Sequence, residues 1–108
     1  MAECIDGKFY LSLLKEISQK EAREWKLFEE HELSTTVESF TIAISRYGML
    51  SVYDEEKEIV GSCTLRQYPY VGKRVQDLYF KMQRERDVWK KRGLERLGKI
   101  ISGEEKSE

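Results

Sequence analysis

The chain of 108 residues has no asparagine, one proline, one histidine and two cysteines. Each scarcity removes a class of chemistry. Cys4 and Cys63 show neither CxxC nor His-linked spacing, so they read as reduced, structural thiols. His31 sits inside Glu29-Glu30-His31-Glu32. Leu27, Phe28, Ser34 and Thr35 fill the i±3 and i±4 places that a helical metal-ligand pair would use, so no metal is expected. A Ser or Cys nucleophile would need this one imidazole brought to it by folding, and nothing in the sequence indicates that. There is no P-loop and no GxGxxG, and no cofactor is expected. Carboxylates are plentiful, so a carboxylate pair is the one hydrolytic arrangement left open. The chain is read as non-catalytic, with no catalytic residue assigned.

Long apolar runs are missing as well. No stretch approaches the ~18 apolar residues of a membrane span. Residues 1–7 lack a basic region followed by an apolar one. The expectation is a cytoplasmic protein with no membrane partner. The missing asparagine, only four glutamines and frequent Lys and Glu lean towards a thermophile composition.

Charge and apolar side chains are what remain. Charged residues make up 36% and hydrophobic ones 40%; an average globular chain has about 25% charged residues. The excess implies much exposed helix surface around one core. One domain over residues 1–103 is expected, followed by a charged, mobile tail over 104–108. Charge is unevenly spread: residues 1–34 carry five basic and eight acidic groups, and residues 67–108 carry eleven and seven. Such a chain can pair its ends, pair with a copy of itself, or show one face to a polyanion.

Asp6 is placed to cap a helix starting near Lys8, with Tyr10, Leu13, Leu14 and Ile17 at helical spacing. Ser18 and Glu21 fit a capping box. The helix therefore either runs on to Glu32, carrying Trp25, Phe28 and Leu33 on its stripe, or breaks at Ser18 and restarts. Ser34-Thr35-Thr36 ends the helical region. Period two then takes over. Phe40, Ile42 and Ile44 oppose Thr41, Ala43 and Ser45. Tyr47-Gly48 offers a hairpin turn, Leu50 and Val52 continue, and Asp54-Glu55-Glu56-Lys57 loops to a third strand through Ile59, Gly61, Cys63 and Leu65. The polar face should show Thr41, Ala43, Ser45, Ser62, Thr64 and Arg66, with Val60 and, as a further candidate, Tyr53, too few aromatics for stacking single-stranded bases. Tyr68-Pro69-Tyr70 stops the sheet, a long helix follows from about Lys73, and Gly103 caps it. Gly93 is a place where that helix could break. The reading is a two-layer α+β domain: N-terminal helix, three-stranded antiparallel meander, long C-terminal helix. That order is similar in topology to double-stranded-RNA-binding domains. The resemblance is one of fold order; the Gly72-Lys73-Arg74 helix entry is its only echo in sequence.

Residues 72–101 hold ten Lys or Arg against four Asp or Glu. At ~100° per residue, Val75, Leu78, Tyr79, Met82, Trp89, Gly93, Leu97 and Ile100 gather on one side. Lys73, Arg74, Lys81, Arg84, Lys91, Arg92 and Lys99 gather opposite. These seven are the candidate nucleic-acid contacts, to DNA or RNA, in one reading. In the other they form a wet outer face braced by Asp77→Lys81, Asp87→Lys91 and Glu95→Lys99. Arg86 falls on the apolar side and must be paired or reach water: Glu21 or Glu24, the ring of Trp25 or Trp89, a second subunit, or solvent at the core edge by snorkelling. Met82, Arg86, Trp89, Gly93 and Leu97 are the candidate interface residues. The leading expectation is a non-catalytic interaction or regulatory module, homodimeric through the apolar faces of its helices.

Overall fold

The chain's structure is a computed structural model that describes residues 7–103. Asp6, Cys4 and the tail at 104–108 lie outside those residues. Helix α1 (Gly7–Ile17) is followed by a 3-10 turn (Ala22–Glu24) and five strands: β1 (Lys26–Leu27), β2 (Glu32–Val37), β3 (Phe40–Ser45), β4 (Leu50–Tyr53) and β5 (Ile59–Cys63). Helix α2 (Pro69–Ser102) closes the order. The strands form one antiparallel sheet in sequential order. The fold is α+β, with five strands rather than three.

The correction lies between Ser18 and Val37. Helix α1 stops at Ile17, where the amides of Gln19 and Lys20 bond the carbonyls of Glu16 and Ile17 in a tightened last turn. The Ser18 hydroxyl donates back to the Lys15 carbonyl. The capping pair forms one turn later than Ser18–Glu21: the Glu21 amide donates to the Glu24 carboxylate at 2.7 Å. Trp25 is extended, not helical, and fully buried. Thr35 holds this crossing by donating its hydroxyl to the Glu24 carbonyl at 2.8 Å. Good helix formers over 21–33 are thus overridden by burial of Trp25 and Leu33 in one core. The β2–β3 turn takes only Glu38 and Ser39, between the paired Val37 and Phe40. Glu38 is left-handed there at φ +58°, a conformation that usually calls for Gly or Asn.

The remaining strands follow the alternation except at the ends of β5. A register shift between Val52 and Tyr53 pairs Tyr53 with Ile59, which is left exposed. Val60 turns to the helix side, and the strand stops at Cys63, before Leu65. Ile42, Ile44, Leu50, Val52 and Cys63 face the helices and pack with Tyr10, Leu14, Ile17, Val71, Val75, Leu78 and Met82. Both helices cover this one face. On the other face, the row Ser34, Ala43, Ser51, Ser62 runs across four strands. The rings of Phe28 and Tyr53 meet there at 5.4 Å, spanning the steps from β1 to β4 as a coiled sheet allows. The polar face therefore carries an aromatic pair of which the strand pattern offers only Tyr53; Phe28, just past the end of β1, falls in the stretch whose spacing reads as helical.

Helix α2 starts at Pro69, four residues before Lys73, because proline is well suited to a first helical turn. Two glycines let it dock. Gly48, at φ +86°, places the β3–β4 loop against the Gly72 carbonyl, and a Cβ on Gly72 would lie 2.6 Å from Leu65 Cα. The helix then runs unbroken through Gly93 and Gly98 to Gly103, which caps it at φ +82°. Its 34 residues span about 51 Å at ~1.5 Å each.

Two outcomes follow in urea melts. Gly72→Ala lowers stability by about 1–3 kcal/mol, because backbone cannot yield as a side chain does. Gly98→Ala raises it by up to about 1 kcal/mol, since nothing stands near that Cβ and the helix gains propensity.

Burial pushes the Cys63 thiol up to about 11, with a Leu50 backbone hydrogen bond opposing it. Burial also raises Tyr10 and Tyr79. All three hold their protons more tightly folded than unfolded. Their contribution is intact below the ordinary thiol and phenol range and is lost as pH climbs through the folded values. The urea midpoint should therefore fall between neutral pH and about pH 10.5. An unchanged midpoint would contradict this burial.

Candidate interaction surface

Only the first half of α2 belongs to the body. Val71, Gly72, Val75, Leu78, Tyr79 and Met82 are buried, and from Asp87 to Ser102 every residue is exposed. The molecule measures 62 × 27 × 23 Å, with a radius of gyration of 17.1 Å; a compact chain of this size would have about 13 Å. The distal helix is a projecting rod.

Its apolar stripe continues the one that packs the core, and among the described residues it is largely uncovered. Trp89 is 47% exposed, Leu97 49%, Ile100 45% and Ile101 76%. Gly93 lies between Trp89 and Leu97, and beyond its own helical turn no described residue comes within 4 Å of its Cβ position. At the base of the rod, the 3-10 turn and α2 enclose a groove of about 390 Å³, walled by Glu21, Ala22, Glu85, Val88 and Trp89 and by the side chains of Arg23, Arg84 and Arg92.

The expected interface residues therefore separate. Trp89, Gly93 and Leu97 lie on the free rod. Met82 is 1% exposed inside the chain's own core, so it is a packing residue here, not a surface one. Arg86 marks the junction. Its Nε–H donates to the Trp25 carbonyl at 3.0 Å, a partner not among the carboxylates and rings considered for it. Glu21 and Glu24 are otherwise engaged: Arg23 sits 3.0 Å from Glu21 and Lys20 sits 3.9 Å from Glu24. The Trp25 indole N–H is buried without a hydrogen-bond partner.

All seven cations of the opposite face are exposed. Among the described residues none of them makes an ion pair within 4.0 Å, so the braces expected from Asp77, Asp87 and Glu95 are not formed. Away from α2, Asp54, Glu56 and Glu58 bring carboxylate oxygens within 4.8 Å of one another. Asp54 already accepts the Glu56 and Glu58 amides at 2.9 Å, which makes this a turn motif. An apolar hollow of about 400 Å³ opens between α1 and the sheet beside Leu13, Phe40 and Val60. The alternation placed Phe40 inward but gave no sign that α1 would leave that corner open. His31 lies at φ +67° in the β1–β2 turn, edge-on to Tyr47 and 3.5 Å from Arg46.

No described helix is long and apolar enough to cross a membrane. Compared with protein-family models, with curated proteins and with solved structures, the chain matches none.

Arg86→Met keeps the side-chain stem but strips the Trp25 carbonyl of its donor. It should cost about 1–2 kcal/mol in denaturant melts. A neutral result would mean that water replaces the guanidinium.

Proposed function

We propose that this chain is a non-catalytic interaction module that self-associates through the projecting half of α2. One observation carries the reading: large apolar side chains of the rod, Trp89, Leu97, Ile100 and Ile101, are exposed on a helix that no other described element packs along. An isolated helix of this length is marginal in water, and each of Gly93 and Gly98 weakens it by roughly 1 kcal/mol relative to Ala. Covering the stripe supplies what propensity does not. A second copy offers the same apolar stripe, and most oligomers of soluble chains are symmetric pairs. The deeply buried Cys63, with its thiol pushed up to about 11, is poorly suited to nucleophilic work.

Sedimentation tests this directly. The wild-type chain should behave as a dimer at tens of micromolar and dissociate on dilution. Leu97→Asp should weaken pairing at least ~10-fold, or about 1.4 kcal/mol, with an unchanged far-UV spectrum for the body. A wild-type monomer at those concentrations would end the proposal.

A second reading is favoured by the cations free of ion pairs. Lys73, Arg74, Lys81, Arg84, Lys91, Arg92 and Lys99 lie away from the stripe and could follow a phosphate backbone. Titration with duplex DNA and duplex RNA at low and moderate salt should show steeply salt-dependent binding. Binding indifferent to salt, or none, would remove this reading.

A further inference from the structure

Resting on that self-association, we propose that two copies cross their rods antiparallel at Gly93, with the tip of each seated in the groove at the other's base. The spacing of the stripe is the first reason. Arg86, Trp89, Gly93, Leu97 and Ile100 are separated by three, four, four and three residues, a pattern symmetric about Gly93. A two-fold axis at Gly93 sets Trp89 opposite the partner's Leu97 and Arg86 opposite the partner's Ile100. An interface of this kind uses the same patch twice, so its pattern must complement itself read backwards. The open space over Gly93 lets the helices approach closely at the axis.

The groove supplies the second reason. Trp89 belongs both to the stripe and to the groove wall. Beyond Arg86 the line of the stripe meets the body, where the guanidinium is bound to the Trp25 carbonyl. A partner helix following the stripe is therefore turned aside there, and the groove lies alongside. The partner's Ile100 and Ile101, both exposed at the tip, are the apolar groups available to fill it.

Charge decides between the two directions. The tip carries Lys90, Lys91, Arg92, Arg96 and Lys99 against Glu95 alone, whereas at the base Glu21, Glu24, Glu85 and Asp87 are balanced by Lys20, Arg23, Arg84 and Arg86. A parallel pair would lay two cationic tips side by side. The antiparallel pair instead lays each tip beside a base whose charges balance, with Lys99 nearest Glu85.

Two experiments separate the directions. In a Cys4→Ser background, Gly93→Cys should oxidise to a covalent dimer while Leu97→Cys stays largely unlinked; a parallel pair would link both. Independently, Lys99→Glu should weaken pairing about 10-fold, and Glu85→Lys added to it should restore pairing. In a parallel pair Lys99→Glu would instead relieve repulsion and tighten it. A wild-type monomer would remove the self-association and the crossing together. A dimer that links through Leu97→Cys, or that Lys99→Glu tightens, would leave self-association standing and overturn the antiparallel crossing.

Discussion

Burial of the Val71–Val75–Leu78–Met82 stripe against the sheet is the contact on which everything else in the molecule depends. It joins α2 to Ile44, Leu50 and Cys63 on one side and to Leu14 and Ile17 on the other, within one cluster. The Gly72–Leu65 approach sets how closely the helix lies on its bed. Once those turns are seated, the direction of the remaining helix is determined, and it points away from the body. The projecting rod is a result of core packing followed by a helix that runs on to Ser102 past the last described layer able to cover it.

The junction at Arg86 shows how the change from core to rod is managed. A guanidinium on an apolar stripe is costly unless its donors are used or reach water. Here Nε–H meets a backbone carbonyl of a buried tryptophan, and the residue as a whole is half-buried. The same side chain thus ends the core and anchors the 3-10 turn that walls the groove.

Much of this was legible in the residues. The alternation from Phe40 to Cys63 reported three strands, Gly48 their hairpin and Gly103 the final cap, because each is a local signal with a local cause. The region from Glu21 to Val37 was not legible. Its residues favour helix, and its hairpin turn uses a left-handed Glu38 instead of Asn-Gly or Asp-Gly. Only the burial of Trp25 and Leu33 beneath α2 makes strands of it, and that is a long-range effect. The two faces of α2 were visible in the spacing. What spacing could not supply was where along the helix the body ends, and so Met82 and Trp89 looked alike although one is core and the other surface. Arg86 was recognisable as anomalous, but its partner is a main-chain oxygen, and main-chain atoms leave no mark in a sequence.

Because α2 is continuous from Val71 to Ser102, core and rod share a single helical phase. Deleting one residue between Met82 and Trp89 would turn the distal stripe by about 100° about the helix axis while leaving every distal residue chemically unaltered. The angular setting of whatever the rod holds, relative to the sheet, is therefore encoded in the number of residues between the last core side chain and the first exposed one. Length in that short interval is under tighter constraint than composition.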